Sequence, residues 1–571
     1  MAAIQNIEGV ELSSSSSNSR YGKRDDSVVI KLESKANISC KFTSNAFQAA
    51  PVIIAKKHLQ NGSNKEKILL INAGNANAGN GKSGELDALK CCKEISEYAG
   101  LNPEDVLPFS TGIIGEPLSA EEHIAAFKKA YSSLKPTNWR KVAKAILTTD
   151  TKIKLVSKTL VKGKKSINIT GFAKGSGMIR PDFATLLSFV FTDADINQSL
   201  LHKLHNEALS ESFERITVDG DTSPNDSSVL VATGKSGIKV RGKSKEVKKF
   251  QQELVQLFQS LAQDIIRDAE GAKKEIEIKV EKARNKTVAR DVAFTIAHSP
   301  LVKTAMYGND ANWGRILAAV GRAESISDIA KVSIKLNDTP LVTRGSRDPK
   351  HSEMKASKSV KSKKVVIRVI LNEGKDSFSV LTSDLTEDYI YPITPETDTS
   401  EKLLTAISRS ASNNVSVFQY RRKTLDESKV KEELDLLETI TAEFNISVII
   451  NSYHQSNLIS RFSGLHLTGI DLKDSTKRPV EKNKFFGISC HDEEDIKKAE
   501  ILDADYIFLS PVNKTSSHQN QKPMGWKKFS ALTKETKLPV YALGGLGKED
   551  LLKAEENGAY GIAGISRFWS Y

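Results

Sequence analysis

The segment AKGSGMIRPDFATLLSF (173–189) joins a glycine-rich loop to an apolar run with one threonine at its start. Small residues at such a spacing suggest a phosphate cradle, but a P-loop places its Lys and Ser/Thr directly after the last glycine. Here Lys174 precedes Gly175 and Gly177, and the spacing excludes that reading. Thr185 offers other chemistry. A threonine after a small alanine leaves room for its hydroxyl to attack the Ala184 carbonyl, and cleavage there would make Thr185 a new N-terminus. An α-amino group titrates near pKa ~7.7–8.0, so a useful fraction is neutral and accepts the proton of the same residue's hydroxyl. This is the threonine–amine form of an activated nucleophile. A β-branched core residue is the plainer reading of Thr185, and the residues alone leave both open.

The elements that would position Thr185 can be read on either side of it. From about 26 to 390 the runs KILLINAGN, SINITGFAKG, TLLSFVFTDA, SSVLVATG, EIEIKVEKA and KKVVIRVIL read as strands. Helical patterns such as Leu86–Tyr98 and Lys245–Arg267 lie between them, which predicts layered mixed sheets covered by helices, an α/β and α+β arrangement. The serine run Ser13–Ser17 suggests a flexible lead-in over 1–25, and the basic stretch 343–364 an exposed loop. After 388 the rhythm changes. Apolar runs at 389–394, 415–420, 446–451, 464–467, 485–489, 505–510, 538–543 and 560–565 alternate with helical patterns, predicting a compact (β/α)8 TIM barrel. The segment 468–484 is polar and need not be helical. Two domains, 26–387 and 388–571, are expected, since single cores stop growing at roughly 250–300 residues.

Composition narrows the function classes. The net charge of +13 comes from Lys and Arg interspersed with Asp and Glu, without zinc-finger or RNA-binding signatures, so no nucleic-acid partner is expected. Cys40, Cys91, Cys92 and Cys490 form no CxxC pair, which suits a reducing compartment rather than a disulfide frame or a thiolate zinc site. The start lacks a secretory pattern and no apolar run approaches the ~20 residues of a membrane span, so a cytoplasmic protein is expected.

The cleavage segment strongly resembles that of the ornithine acetyltransferase family, also called glutamate N-acetyltransferase. FTSNAFQAAPVIIAK (42–56), INAGNANAGNG (71–81), STGIIGEPL (110–118), ILTTDT (146–151), DGDTSPND (219–226), RDAEGAKK (267–274) and DANWGRILAAVG (310–321) agree in order. The resemblance implies Thr185 as nucleophile, self-cleavage between Ala184 and Thr185, and Thr111 with Gly112 as the oxyanion-hole pair. It also implies Thr151, Lys174 and Glu270 as substrate-binding positions. A cation and an anion suit a zwitterionic amino acid, Lys174 for a carboxylate and Glu270 for an ammonium. The implied reaction is ping-pong transfer of acetyl from N2-acetylornithine to glutamate without a cofactor, in self-cleaved chains assembled as α2β2 or higher. Acetyl-CoA is left open as a further donor. Trp313 reads as packing.

The barrel resembles thiamine phosphate synthase. QYRRK places Gln419, Arg421 and Lys423 on the pyrimidine-diphosphate motif, IIN ends at Asn451, and Gly544, Gly545, Ile565 and Ser566 fall in the loops after strands seven and eight. There barrels commonly hold phosphate on backbone N–H groups. Two departures matter. Ser452 stands where the family has a metal-binding Asp, leaving Asp471 alone of the magnesium pair, and His518 stands at a loop lysine. Magnesium is therefore doubtful, and a phosphate-ligand binder of weakened activity is expected. At the junction SDLTEDYI runs into YPITPE. The Asn and terminal Thr that close the family's substrate site are not found there, Thr394 or Thr399 being weak substitutes. A self-cleaving threonine hydrolase or aminopeptidase, and a non-catalytic metabolite-binding fusion, are the rival readings.

Overall fold

The computed structural model describes the chain except residues 1–3, 64, 181–185, 243–244, 386–389, 397–398, 412–416, 445, 455–460, 483, 516–521, 537, 548–549, 566 and 570–571. Ala184, Thr185, His518 and Ser566 thus lie outside the described residues. The chain divides into two compact units, Met1–Thr386 and Glu387–Tyr571.

The first unit is built around two sheets that share a core. One orders its strands Val10–Ser15, Ser27–Leu32, Lys67–Asn75 and Val106–Ile113. The other runs Asn37–Phe42, Ser227–Ala232, Leu187–Thr192, Lys165–Lys174 and Lys154–Lys162. Because successive side chains of a strand point to opposite faces, Val28, Ile30 and Leu32 face the shared core while Val29 faces helices. Likewise Phe189 and Phe191 meet Phe172 and Phe109 between the sheets, and Val190 lies under the outer helices. Both faces being covered, these strands read in the sequence as unbroken apolar runs. Helices Ala50–Asn61, Gly81–Ala99 and Ala120–Tyr131 cover the first sheet. Gln198–Ser210 and Lys245–Arg267 cover the second, giving four layers. A further seven-stranded sheet, centred on Glu275–Ala283 and Lys364–Ile370, packs on its own helices, with Trp313 against that core.

Two expectations need correction. The serine run is not a flexible lead-in: Val10–Ser15 pairs antiparallel with Ser27–Leu32 as the edge strand of the first sheet. Its hydroxyls are satisfied inside the protein, Ser14 on Asp25 Oδ2 at 2.7 Å and Ser17 on Asp26 Oδ2 at 2.6 Å. The stretch 343–364 is not simply a loop either, since it includes the short strand Ser346–Arg347 and the helix Glu353–Val360, whose Ala356 and Val360 are buried.

In the second unit all eight expected strands are present and parallel, in barrel order from Ile390–Pro392 to Gly561–Gly564. Closure comes from a bridge between Ile393 and Gln419, with Thr394 N donating to the Gln419 carbonyl at 3.0 Å. Thr394 also accepts from Arg421 N at 2.7 Å, so it serves the barrel seam. Tyr391, Tyr506, Phe508 and Tyr541 fill the interior. His466 is enclosed with them, bonded to Tyr506 and Ser489, and burial drives its pKa down to about 3. The packed interior leaves the C-terminal ends of the strands as the place for a ligand. The segment after 468 opens with a short helix, Gly469–Asp474, capped by Thr468.

Candidate active sites

In the first unit, the antiparallel register sets Lys174 opposite Leu187, two positions after Thr185 in sequence. Leu186 is buried and its carbonyl accepts from Ser227 N at 3.0 Å. The glycine-rich loop that precedes Thr185 in sequence is tied down residue by residue. Gly175 N donates to Asp150 Oδ1 at 2.7 Å, and the Ser176 carbonyl accepts from Glu270 N at 2.9 Å. Met178 N and Ile179 N both donate to the Asp219 carboxylate. A Cβ on Gly177 would lie 3.1 Å from the Glu270 carboxylate, so the absence of a side chain lets Glu270 reach this loop.

Lys174 is the centre of the cluster. Its ammonium donates to Thr111 Oγ1 at 3.0 Å and to Thr148 Oγ1 at 2.8 Å, and lies 3.9 Å from Asp150 Oδ2. Burial lowers its pKa, helped by Lys154 and opposed by Asp150, Asp226 and Glu270. Behind it the fully buried Lys154 bridges Asp150 and Asp268, at 2.6 Å each. Burial alone would raise the Asp150 carboxyl, yet Lys174 and Lys154 hold it below the usual carboxylate range. Thr151 gives its backbone N–H and its hydroxyl to Asp268, which makes it part of this network. Gly112 follows Thr111 at φ +138°, and a Cβ there would fall 2.1 Å from the Gly74 carbonyl carbon. Only glycine permits that close passage of the two strands. Thr111 with Gly112, Lys174 and Glu270 therefore come from three separate sequence motifs, and hydrogen bonds and the loop they frame link them. Sequence reasoning missed Asp150, Lys154, Asp219 and Asp268. Asp150, Asp219 and Asp268 lie inside motifs already singled out, beside Thr151, within DGDTSPND and within RDAEGAKK, which was the available signal.

In the second unit a cavity of about 480 Å³ opens at the C-terminal ends of the barrel strands. Gln419, Arg421, Lys423, Asn451, Gly544, Gly545 and Ile565 all line it. Asn451 Nδ2 donates to Gln419 Oε1 at 3.0 Å. Gly544, at φ +110°, passes Pro511 so closely that a Cβ would stand 2.9 Å from its Cα. Two of the charged groups here are matched within the protein, whereas the buried Gln419 Nε2 has no hydrogen-bond partner among the described residues. Glu396, unnoticed in the sequence, pairs with Arg421 at 3.0 Å inside the cavity. Asp471 takes the hydroxyls of Ser452 and Thr468 on one oxygen, Oδ2. These hydrogen bonds outweigh burial and hold its carboxyl below the ordinary range. A hydroxyl that donates to Asp471 replaces the second carboxylate a magnesium diphosphate would want, so the residues present do not fit that metal. Among the described residues no three His, Cys, Asp or Glu side chains gather as a metal site, and no helix is long and apolar enough to cross a membrane.

A layered αββα body with a hydroxyl–ammonium–carboxylate set at its strand ends, followed by a barrel with glycine loops around a cation-lined cavity, defines a fused two-site protein. The ArgJ family model matches residues 11–392, and the thiamine monophosphate synthase model matches residues 390–568. The arginine biosynthesis bifunctional protein ArgJ of Psychrobacter arcticus is 44% identical over 393 residues, 68% of this chain and 95% of that protein. The Methylococcus capsulatus protein of the same name is 42% identical over 386 residues, 67% and 94% of the two chains. A crystal structure of the Bacillus halodurans protein aligns at 36% identity over 34% of this chain and 93% of that chain, with a TM-score of 0.33. The chain belongs to the ArgJ family.

Proposed function

We propose that the first unit is a glutamate N-acetyltransferase of arginine biosynthesis, self-cleaved between Ala184 and Thr185. The Thr185 hydroxyl attacks the acetyl carbonyl of N2-acetylornithine, and the freed α-amino group of Thr185 takes its proton. The hydroxyl of Thr111 and the N–H of Gly112 hold the oxyanion, such donors being typically worth ~2.7–4 kcal/mol each. Collapse breaks the C–N bond, the ammonium returns its proton to the leaving ornithine amine, and acetyl-Thr185 remains. The amine of glutamate then attacks the ester, and Thr185 regains its proton. Glu270 pairs with the substrate ammonium. The observation that carries this reading is the family match over 11–392, joined to the convergence of Thr111 and Lys174 at 3.0 Å beside the strand that follows Thr185. Intact-mass spectrometry with N2-acetylornithine tests it. The expected species are 1–184 and an acetylated 185–571, whereas Thr185→Ala stays one chain and transfers no acetyl. A variant that still splits would remove Thr185 from the mechanism, and acetate released to water without acetylglutamate would favour a hydrolase.

For the barrel we infer a phosphate-ligand site in which binding and synthesis have come apart. Gly544, Gly545 and Ile565 keep a loop-lined phosphate position, while Ser452 and the Glu396–Arg421 pair alter the surroundings of a diphosphate. Titration calorimetry of the full chain with thiamine monophosphate should show binding, and none would make the barrel a structural appendage.

A further inference from the structure

We propose that Lys174 is a positioning residue for the oxyanion donor: its ammonium fixes the direction in which the Thr111 hydroxyl offers its proton. The inference rests on the acetyltransferase reading above and deepens it, moving the task of Lys174 from a substrate carboxylate to the oxyanion hydroxyl.

A threonine hydroxyl has one proton to give and lone pairs to accept with. Thr111 Oγ1 already accepts an N–H from Lys174 at 3.0 Å. With that lone pair occupied by a cation, the O–H bond must point away from the ammonium. Thr111 is buried, and among the described residues its hydroxyl has no acceptor for the proton. That leaves the Thr111 proton available to an incoming acceptor, on the residue next to Gly112, as an oxyanion donor requires. Accepting from a charged donor also polarises the hydroxyl and strengthens it as a donor in turn.

The ammonium is itself held from behind. Thr148 Oγ1 takes a second N–H at 2.8 Å, and Asp150 stands 3.9 Å away on the other side. Asp150 is kept in place by Lys154 and by Gly175 N, and Lys154 by Asp268. Two cations and two carboxylates thus form a neutral buried set whose outermost member touches Thr111. A lysine serving only to catch a mobile carboxylate would not need a hydrogen bond to the oxyanion hydroxyl.

A double-mutant cycle on the full chain tests this, with acetyl-Thr185 formation and steady-state transfer both followed. Lys174→Met should lower kcat by roughly 10²-fold, the lower end for loss of one oxyanion-hole donor, with KM for N2-acetylornithine changed much less. Lys174→Arg, which keeps a donor, should recover part of the rate. In a Thr111→Ala background, adding Lys174→Met should cost little more, because the group through which it acts is gone. Losses that multiply, or a fall carried by KM with kcat intact, would overturn the proposal and return Lys174 to substrate binding alone. If the unaltered chain forms no acetyl-Thr185, the acetyltransferase reading fails and takes this proposal with it.

Discussion

Lys154 in the first unit and Arg421 in the barrel are both cations at strand ends facing carboxylates, with contrary consequences for the nearby site. Lys154 neutralises Asp150 and Asp268 behind Lys174, and Lys174 donates to two threonine hydroxyls at the candidate site. Arg421 faces the cavity itself, and there Glu396 neutralises it. Asp471 is similarly engaged by the hydroxyls of Ser452 and Thr468. One region pairs its charges behind the site and presents donors to it. The other pairs them in the cavity or against neighbours. A charged residue matching a family motif therefore indicates chemistry only when its partner lies outside the place the substrate would take.

The comparison breaks most visibly at Lys154. Lys154→Met should leave two buried carboxylates without their cation, and breaking a buried pair in this way typically costs ~3–5 kcal/mol. Denaturant unfolding should show that loss, while thiamine monophosphate binding by the barrel stays unchanged. A variant as stable as the parent would mean that Asp150 and Asp268 are satisfied by their other donors, Gly175 N and the Thr151 and Lys152 N–H groups.

Glu270 comes next. Its carboxylate borders Gly177, and its backbone N–H holds the Ser176 carbonyl, so Glu270→Gln keeps the loop while removing one negative charge. We expect kcat/KM for N2-acetylornithine to fall by about 10²-fold, roughly 2.7 kcal/mol of transition-state stabilisation. Self-cleavage, read by intact mass, should persist. Unchanged kinetics would show that the substrate ammonium is held elsewhere.

Which parts of this were legible in the sequence follows from the range of the interactions. Each barrel strand is a local run of three to six residues, and all eight lie where their residues place them. The loop at 173–179 is conspicuous because two glycines and a serine permit its tight path. Asp268, in contrast, meets Lys154 across 114 residues of sequence, and Glu396 meets Arg421 across 25. No pattern within either segment announces such a pair. The serine strand failed for the same reason: five serines suggest a solvated loop until Asp25, Asp26 and Ser133 are seen to bind three of them.

Lys303 offers a finer test within the first unit. Buried between Thr382 Oγ1, at 2.7 Å, and the Ser383 carbonyl, it has among the described residues no hydrogen-bonded carboxylate of the kind Lys154 has. Burial pulls its pKa down to about 7, against the opposing pull of Asp384 and Asp219. An unfolded lysine titrates near ~10.4. Below pH 7 both states are protonated, and the cost of burying the charge is fully present. Between pH 7 and about 10 the unfolded chain binds more protons, so this residue's contribution to stability rises with pH. The unfolding free energy of the parent relative to Lys303→Met should therefore increase from pH 7 to pH 9. A flat difference would show a lysine charged throughout.

The smallest expected effect belongs to the barrel. If the Glu396–Arg421 pair and the Ser452–Asp471 bond are what keep synthesis weak, undoing them should restore rate without altering the cavity loops, which Gly544 and Gly545 line. Ser452→Asp replaces the hydroxyl that now donates to Asp471 with a second carboxylate, the donor type magnesium prefers around a diphosphate. His518→Lys adds a cation for the leaving group at a position outside the described residues. Glu396→Gln releases Arg421 from its pair. In the full chain with magnesium, the triple variant should join pyrimidine diphosphate to thiazole phosphate at least ~10-fold faster than the parent, about 1.4 kcal/mol of barrier. Thiamine monophosphate affinity should move by less than that factor. Efficient synthesis by the unaltered chain would defeat the contrast between the two regions. A triple variant no faster than its parent would place the block beyond these three residues, in the packing of the cavity itself.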